Sequence, residues 1–484
     1  MDSSRLNGKN SISSNRSDRP ICIVGGGLVG SMAACTLAKR GYQVKLYEMR
    51  EDIRKMEVVR GKSINLALSE RGRSAFRLLG LEDEMLNNYA IPMKGRMIHE
   101  TSGRKRFIPY GREDQAIYSI SRRHLNEALL NFAEKMQNIE IHFSHKLVNC
   151  NLDKGELEFK DLNTKSTKSD EASVIIGCDG AHSKVRLELM KRTRLNFSQT
   201  YIDHGYLELC IQPDPITGNH ALEVNYLHIW PRGTFMMIAL PNLDKTYTVT
   251  LFMPFRQFKA IKTPEKLIDF FTTYFPDSIP LIGRENLIKT FFDVGPSPLI
   301  SVKCDPYHYK DRALIIGDAA HAMVPFYGQG MNCGFEDVTI LNELLNESHL
   351  PQSLAKFSAI RVKDGHAICE LALYNYIEMR DLVNSRLFLL RKRFDNILNF
   401  LMPNYWAPLY SMVTFSRTPY SQCIAAKQRQ DKVITFTTAI LSTTGLFGLI
   451  YLINKPTRLE KSIGLINSAT SHILSYKPNF GKIW

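Results

Sequence analysis

The sequence predicts an α/β chain: a parallel sheet assembled from separate stretches, an inserted antiparallel sheet and a helical C-terminal region. Three observations carry this. The turn Gly25-Gly26-Gly27-Leu28-Val29-Gly30 follows directly on the apolar run Pro20-Ile21-Cys22-Ile23-Val24. Two glycine–aspartate segments, Gly177-Cys178-Asp179-Gly180-Ala181-His182-Ser183-Lys184-Val185-Arg186 and Gly317-Asp318-Ala319-Ala320-His321, each follow another short apolar strand. Between them, from about residue 202 to 252, apolar and polar residues alternate with the period of an antiparallel strand.

The first unit reads as a strand over 21–24, a glycine turn, a helix over 29–40, a strand over 43–47 and then Glu48. This is a βαβ start. Gly25, Gly27 and Gly30 let the backbone approach a pyrophosphate, and the helix opening at Val29 points its amide dipole at the charge. Glu48 lies eighteen residues after Gly30 at the end of the second strand, where a carboxylate accepts ribose hydroxyls. A structural glycine turn beside a surface Glu is the plain alternative, but strand, turn, helix, strand and acid all stand in register.

A helix is predicted just after Ser121, since Leu125, Leu129, Leu130, Phe132 and Ala133 share one face. The strand over 174–177 leads into the Asp179-Gly180 turn. Asp318 ends another strand, where its carboxylate would accept ribityl hydroxyls; an Asx turn capping a helix is the plain reading of such an Asp by itself. After it comes Pro325-Phe326-Tyr327-Gly328-Gln329-Gly330-Met331-Asn332. Glycines there let backbone crowd a planar ring, and the amides of Met331 and Asn332, before a helix over 334–345, could face its pyrimidine oxygen. In this order the three motifs predict a Rossmann-like domain that holds FAD.

Segments 226–230, 234–240 and 246–252 read as a meander, followed by a helix capped by Thr263 with Pro264 at its first position. Beyond residue 351 the chain turns helical. Residues 387–402 combine apolar residues with Arg391-Lys392-Arg393, which suits either a helix on anionic lipid or an ordinary solvated basic face. Residues 433–453 carry no charge, and that is long enough to cross a ~30 Å hydrocarbon layer as a helix. Arg429, Lys432, Lys455 and Arg458 flank the stretch, which predicts a membrane anchor; a buried helix is the alternative.

With 44% hydrophobic and 23% charged residues, general disorder is excluded. A net charge of +14 favours anionic partners: membrane lipid, nucleic acid or a phosphorylated nicotinamide coenzyme. No zinc-ligand spacing and no RNA-binding signature occurs, so nucleic acid is not expected as a partner, and no metal is expected. The nine cysteines are scattered and never spaced C-x-x-C, as reduced thiols would be. Residues 1–19 lack the apolar core of a secretory signal and read as a disordered arm.

These motifs resemble those of the FAD-dependent aromatic hydroxylases, the group A flavin monooxygenases. Matching stretches include Arg60-Gly61-Lys62-Ser63-Ile64-Asn65-Leu66-Ala67-Leu68-Ser69, Pro92-Met93-Lys94-Gly95-Arg96-Met97-Ile98-His99 and Ile108-Pro109-Tyr110-Gly111. Tyr226-Leu227-His228-Ile229-Trp230-Pro231-Arg232, Gly328-Gln329-Gly330-Met331-Asn332 and Tyr374-Asn375-Tyr376-Ile377-Glu378-Met379-Arg380 agree as well, so the resemblance runs from about residue 20 to 417. It implies that NADPH reduces the flavin, O2 adds at carbon 4a, and the hydroperoxide hydroxylates an electron-rich ring. Within that family the resemblance is closer still to members acting on L-kynurenine, which implies that substrate, hydroxylated at carbon 3 in tryptophan degradation. A sibling hydroxylase with another aromatic substrate, and a flavoprotein scaffold without turnover, are the alternatives.

By resemblance, Arg96 would clamp the substrate carboxylate, Tyr110 and Asn375 would add hydrogen bonds, and Tyr410 and Phe326 would line the substrate side. The chemistry is flavin-centred, so no catalytic protein base is implied. On the FAD side the resemblance implies Val29, Tyr47, Glu48, Met49, Arg50, Ala67, Arg122, Leu147, Lys184, Asp318, Met331 and Asn332, beside Gly25, Gly27, Gly30 and Asp179. His182 and Lys184 stand where the family usually carries Tyr and Thr, Cys333 where Ala is usual, and Arg123-His124 where Glu-Asn is usual.

The expected organisation is an arm over 1–19, FAD-binding parts over 20–90, 121–200 and 301–350, and substrate-domain parts over 91–120 and 201–300. A helical region over 351–430, a transmembrane helix over 433–453 and a basic tail over 454–484 complete it. The resemblance implies the mitochondrial outer membrane, with the catalytic domain facing the cytosol.

Overall fold

Parallel pairing begins where the apolar run predicts it. The strand Ile21–Val24 lies between Val44–Tyr47 and Ile175–Gly177, parallel to both, with Ile23 opposite Leu46 and Ile176. The structure is a computed structural model and describes residues 19–56, 65–110, 115–403 and 405–453. Most of the arm, Arg60 to Ile64 of the first resembling stretch, Gly111 and the basic tail lie outside the described residues.

The sheet has six strands, in the order His308–Tyr309, Ala313–Ile315, Ile175–Gly177, Ile21–Val24, Val44–Tyr47, Ile139–His142. Its central strands are apolar throughout because helices cover them, among them Leu28–Lys39, Arg122–Glu134 and Gly330–Leu344. Local chemistry sets the helix starts. Ser121 Oγ accepts from the His124 amide, and Thr263 Oγ1 from the Lys266 amide with Pro264 following it. One helix begins earlier than the pattern predicts, at Gly330 rather than Gly334. The Gln329 carbonyl already accepts the Cys333 amide at 2.7 Å, which places Met331 and Asn332 inside the first turn.

The second sheet has seven strands: Ser297–Asp305, Asn196–Ile211, Tyr247–Pro254, Met236–Pro241, Tyr226–Pro231, Gly95–His99 and Lys105–Pro109. The predicted meander forms its centre, and Gly95–His99 joins it in parallel with Arg96 opposite Leu227. Within residues 91–120 only Gly95–His99 and Lys105–Pro109 enter this sheet. Ala90–Met93 and Ile117–Ser121 instead pair beside Asn65–Leu68 in a three-stranded sheet.

Strand alternation gives the large sheet two apolar faces. Leu207, Trp230, Val249 and Leu251 pack with the helices Pro264–Tyr274 and Arg284–Val294. Ile98, Leu227, Ile229 and Phe252 pack with Phe326 and the helix Leu350–Arg380. The substrate-side residues belong to this second face.

The C-terminal region departs from two readings of its sequence. In the helix Arg386–Leu401, Lys392 turns inward to Glu378 at 2.6 Å, and Arg391 pairs with Asp395 and Asp431. Two of the three clustered cations therefore serve internal ion pairs and present no free basic face. The uncharged run 433–453 forms the later part of a 34-residue helix, Tyr420–Ile453. Among the described residues no helix is long and apolar enough to cross a membrane. The run's hydroxyls lower its hydropathy. Thr435, Thr437, Thr443 and Thr444 each turn back on a helix carbonyl, those of Asp431, Val433, Ala439 and Ile440.

Candidate active site

The glycine turn is shaped by what it touches. Gly25 has φ +105°, and a Cβ there would come within 2.4 Å of the Cys178 carbonyl oxygen. A Cβ on Gly30 would meet the Gly25 carbonyl oxygen at 1.8 Å. Side chains are thus excluded and the backbone stays thin in front of the helix Leu28–Lys39, whose first turn holds no acid. A Cβ on Gly27 would meet nothing within 4 Å, so the helix N-terminus opens on free space. Glu48 closes one side: its carboxylate accepts the Gly26 amide at 2.7 Å and the Arg50 amide at 2.8 Å.

Asp179 Oδ2 accepts the Lys184 and Val185 amides, while its Oδ1 is buried without a partner. Burial holds this carboxyl above the ordinary value, the bonds to Ser183, Val185 and Lys184 opposing it. Asp318 stands exposed directly after Gly317, which has φ +60°. Val29 lies against Gly317 and Gly334. Asn332 binds the neighbouring strand with its whole side chain: Oδ1 accepts the Ser69 amide, and Nδ2 donates to the Ala67 and Gly328 carbonyls. Glycine turn, Asp318, Ala67 and the Met331–Asn332 turn therefore surround one cleft edge.

Other FAD-side candidates behave differently. The Tyr47 backbone carbonyl accepts the Gly25 amide, but its ring is buried, stacked on Phe159 at 3.7 Å and on His142 at 4.5 Å. Its hydroxyl donates to Asp170. Strand alternation turns the Tyr47 side chain into the core, so only its main chain borders the turn. Leu147 is likewise buried in the core. Lys184 pairs with Glu188 at 3.3 Å, while Met49, Arg50 and Arg122 are exposed.

The substrate-side candidates do converge. Arg96 is 2% exposed, and its guanidinium carbon lies 4.5 Å from the Tyr410 ring centre and 5.8 Å from that of Tyr110. Tyr110 and Tyr410 stack at 5.2 Å, and Phe415 meets both edge-on. Phe326 stacks on Tyr376 at 3.7 Å and meets Phe252 edge-on. Asn375 Nδ2 donates to the Phe326 carbonyl at 2.8 Å. A cavity of about 1060 Å³ is lined by Phe415 of this aromatic wall, with Pro109 and Met412 beside it.

Sequence reasoning missed Glu378 and Lys392. Glu378 Oε1 is shared by Arg96 Nη1 at 3.2 Å and Lys392 Nζ at 2.6 Å. Burial would raise the Glu378 carboxyl; Lys392 and Arg96 outweigh it and hold it below the ordinary value. Burial works against the Arg96 charge too, yet Tyr410 and Glu378 keep its pKa above the usual arginine value. Arg96 Nε and the Tyr110 hydroxyl are buried and have no hydrogen-bond partner. Glu378 sits three residues after Asn375 in the quoted stretch, and that spacing on one helix face was the available signal.

One group among the described residues has metal-ligand types, His321, Cys333 and Asp337, all buried. Arg361 Nε donates to Asp337 Oδ1 at 2.8 Å and its Nη2 lies 3.2 Å from Cys333 Sγ, so a guanidinium already neutralises the cluster.

Comparison with known proteins decides the family. The FAD binding domain family matches residues 18–364. Kynurenine 3-monooxygenase of Anopheles gambiae is 57% identical over 437 residues, covering 89% of this chain and 90% of the relative. That of Sus scrofa is 48% identical over 465 residues, covering 96% and 98%. The chain belongs to the kynurenine 3-monooxygenase family. Solved structures agree on the fold. The tetrameric form of 2-methyl-3-hydroxypyridine-5-carboxylic acid oxygenase has a TM-score of 0.61 at 21% identity, covering 76% of this chain and 93% of that one. For p-nitrophenol 4-monooxygenase from Pseudomonas putida the score is 0.59 at 19% identity, covering 78% and 92%. The cofactor of the family fits the residues present: Gly25 and Gly30 let the turn fold tightly on the Cys178 carbonyl and on itself, and at Gly27 a helix N-terminus with no acid in its first turn faces open space. This is an FAD-dependent aromatic monooxygenase fold.

Proposed function

We propose that this chain hydroxylates L-kynurenine to 3-hydroxy-L-kynurenine with NADPH and O2, a step of tryptophan degradation that feeds NAD biosynthesis. The observation that carries the reading is Arg96. It is a buried guanidinium with an unpartnered Nε, and among the described residues it shares its only carboxylate partner with Lys392. A buried donor left unmade is costly, so such a site fits a ligand carboxylate. Tyr110, whose hydroxyl is also unpartnered, would add a donor beside it, and Asn375 and Glu378, close on one helix, would accept from an α-amine.

Gly25, Gly27 and Gly30 with the Leu28–Lys39 helix would hold the pyrophosphate, Glu48 a ribose and Asp318 the ribityl chain, with Met331 and Asn332 amides on the ring. Bound FAD would supply two-electron chemistry linking NADPH oxidation to O2 cleavage, with one oxygen atom going to the aromatic ring and the other leaving as water. The substrate's own aniline nitrogen activates that ring, so the protein's work is placement. Arg96 fixes the amino-acid end, Phe326 and Tyr376 flank the aromatic end, and the Tyr110–Tyr410–Phe415 wall keeps water out. Purified protein should be yellow. Kynurenine should stimulate its NADPH consumption and yield a product one oxygen atom heavier. NADPH consumption indifferent to kynurenine but stimulated by another aromatic acid would favour a different substrate.

We further propose that residues 433–453 attach the chain to a membrane, with the mitochondrial outer membrane as the site and the catalytic domain on the cytosolic side. Supporting this are the absence of charge over the run and the exposure of Phe436, Leu441 and Phe447, with Phe400 and Tyr405 exposed in the same C-terminal region. Nine free cysteines agree with a reducing face.

A further inference from the structure

The buried polar network behind the cleft does more than fill the core. Gln329, the residue before the Gly330–Leu344 helix, is 2% exposed, and its Oε1 accepts the Tyr420 hydroxyl at 3.0 Å. Tyr420 opens the last helix of the described chain and is itself fully buried. The Arg71 guanidinium lies 3.8 Å from the centre of its ring. Arg71 also donates to the Thr418 and Val413 carbonyls and to Glu336 Oε1.

From Glu336 the chain of contacts continues. Glu336 Oε2 accepts from Arg361, Arg361 holds Asp337, and Asp337 Oδ2 accepts the Gly317 amide at 2.9 Å. One buried network thus ends at Gly317, beside the Asp318 turn, and at Gln329, beside the Met331–Asn332 turn. Asn332 ties the outer side of that turn to Ser69 and Ala67; Tyr420 ties the inner side.

We propose that Tyr420 is a positioning residue for the bound flavin, acting through Gln329 on the first-turn amides of the Gly330–Leu344 helix. The proposal rests on the FAD-dependent reading above. Those amides have no partner within the helix, and their aim decides how well the helix end stabilises negative charge on a bound ring. Gln329 sits at the cap, so its rotation turns the peptide planes that follow. Burial pushes the Tyr420 phenol well above its ordinary value, against the pull of Arg71, so the hydroxyl remains a donor. The C-terminal helix thereby reaches the flavin without touching it.

The test uses the full-length, FAD-loaded chain and its Tyr420→Phe variant, which keeps the ring on Arg71 and removes one hydroxyl. Two quantities are read besides turnover: the midpoint potential of the bound flavin and its visible absorption envelope. The expected result is retained FAD, an altered envelope and a roughly tenfold weaker preference for the reduced flavin, which is about 30 mV for a two-electron couple. Gln329→Met should give the same shift, and the double variant no more than either single one. An unchanged potential in Tyr420→Phe, or additive shifts in the double variant, overturns the proposal. If Tyr420→Phe fails to fold, Gln329→Met tests the same bond from its other end, and an unchanged potential there overturns it equally. A wild-type chain that binds no FAD would sink the flavin reading itself, a separate outcome.

Discussion

Glu378 bridges Arg96 and Lys392 through one oxygen, at 3.2 and 2.6 Å, across three separate elements: the strand Gly95–His99, second from the sheet edge, and two C-terminal helices. The cation proposed to bind the substrate is therefore held from the helical region. Replacing Arg96 by Met should raise the kynurenine KM roughly ten- to a hundredfold, about 1.5–3 kcal/mol for a charge-assisted contact, while FAD stays bound. Steady-state kinetics on flavin-loaded protein checks this, and an unchanged KM removes Arg96 from the site.

The same carboxylate sets an acid limit. Its folded pKa is depressed, so the stability it contributes is present above the unfolded value of about 4.3 and is lost as pH falls through the folded value. Kynurenine binding at equilibrium should stay level down to about pH 5 and weaken only below the ordinary Glu range. Glu378→Gln should abolish that acid arm. Binding titrations across pH would show it.

Asp318→Ala should empty the flavin site, because the exposed carboxylate after Gly317 loses its place on the ribityl chain. The ratio of flavin to protein absorbance after purification reads the outcome. A fully flavinated variant would show that this turn serves another purpose.

Glu208 titrates in the opposite sense. Burial pushes its carboxyl from 4.5 to about 7, with Arg122 opposing. Ionising it costs stability, so stability declines as pH rises from about 4.5 to 7, and the full penalty is present above that. Glu208→Gln should remove the decline. The gain at pH 8 should be about 1–2 kcal/mol, the full shift being discounted because the side chain is part-exposed. Melting curves at about pH 5 and pH 8 test it: equal differences between variant and wild type at both would contradict the assignment.

Much of this fold was legible because its signals are local. Glycine turns, the Ser121 and Thr263 caps, the alternating strands 226–252 and the apolar strands of the parallel sheet are all set by neighbours in sequence. What escaped depends on distant partners. Glu378 meets Arg96 across 282 positions, and Tyr420 meets Gln329 across 91. Arg391 and Lys392 read as a free basic face until the acids opposite them, Asp431 and Glu378, come into view. Tyr47 lay in the right stretch, but the pleat of its strand sends the ring to Phe159 on another sheet.

Removal of residues 435–484 should release the chain from membranes while FAD remains bound. The start of the last helix, with Tyr420, Cys423 and Gln430 buried, is retained in such a truncation. Fractionation with high-salt washing decides: continued sedimentation places the anchor elsewhere, and a soluble chain that has lost FAD makes 433–453 part of the folded core.

The most direct test of the central claim is oxygen-18 incorporation by the flavin-loaded chain supplied with NADPH, labelled O2 and L-kynurenine. The account predicts kynurenine-dependent NADPH consumption and a 3-hydroxykynurenine product carrying one labelled oxygen atom. NADPH consumption that ignores kynurenine, or a product whose oxygen comes from water, would contradict it.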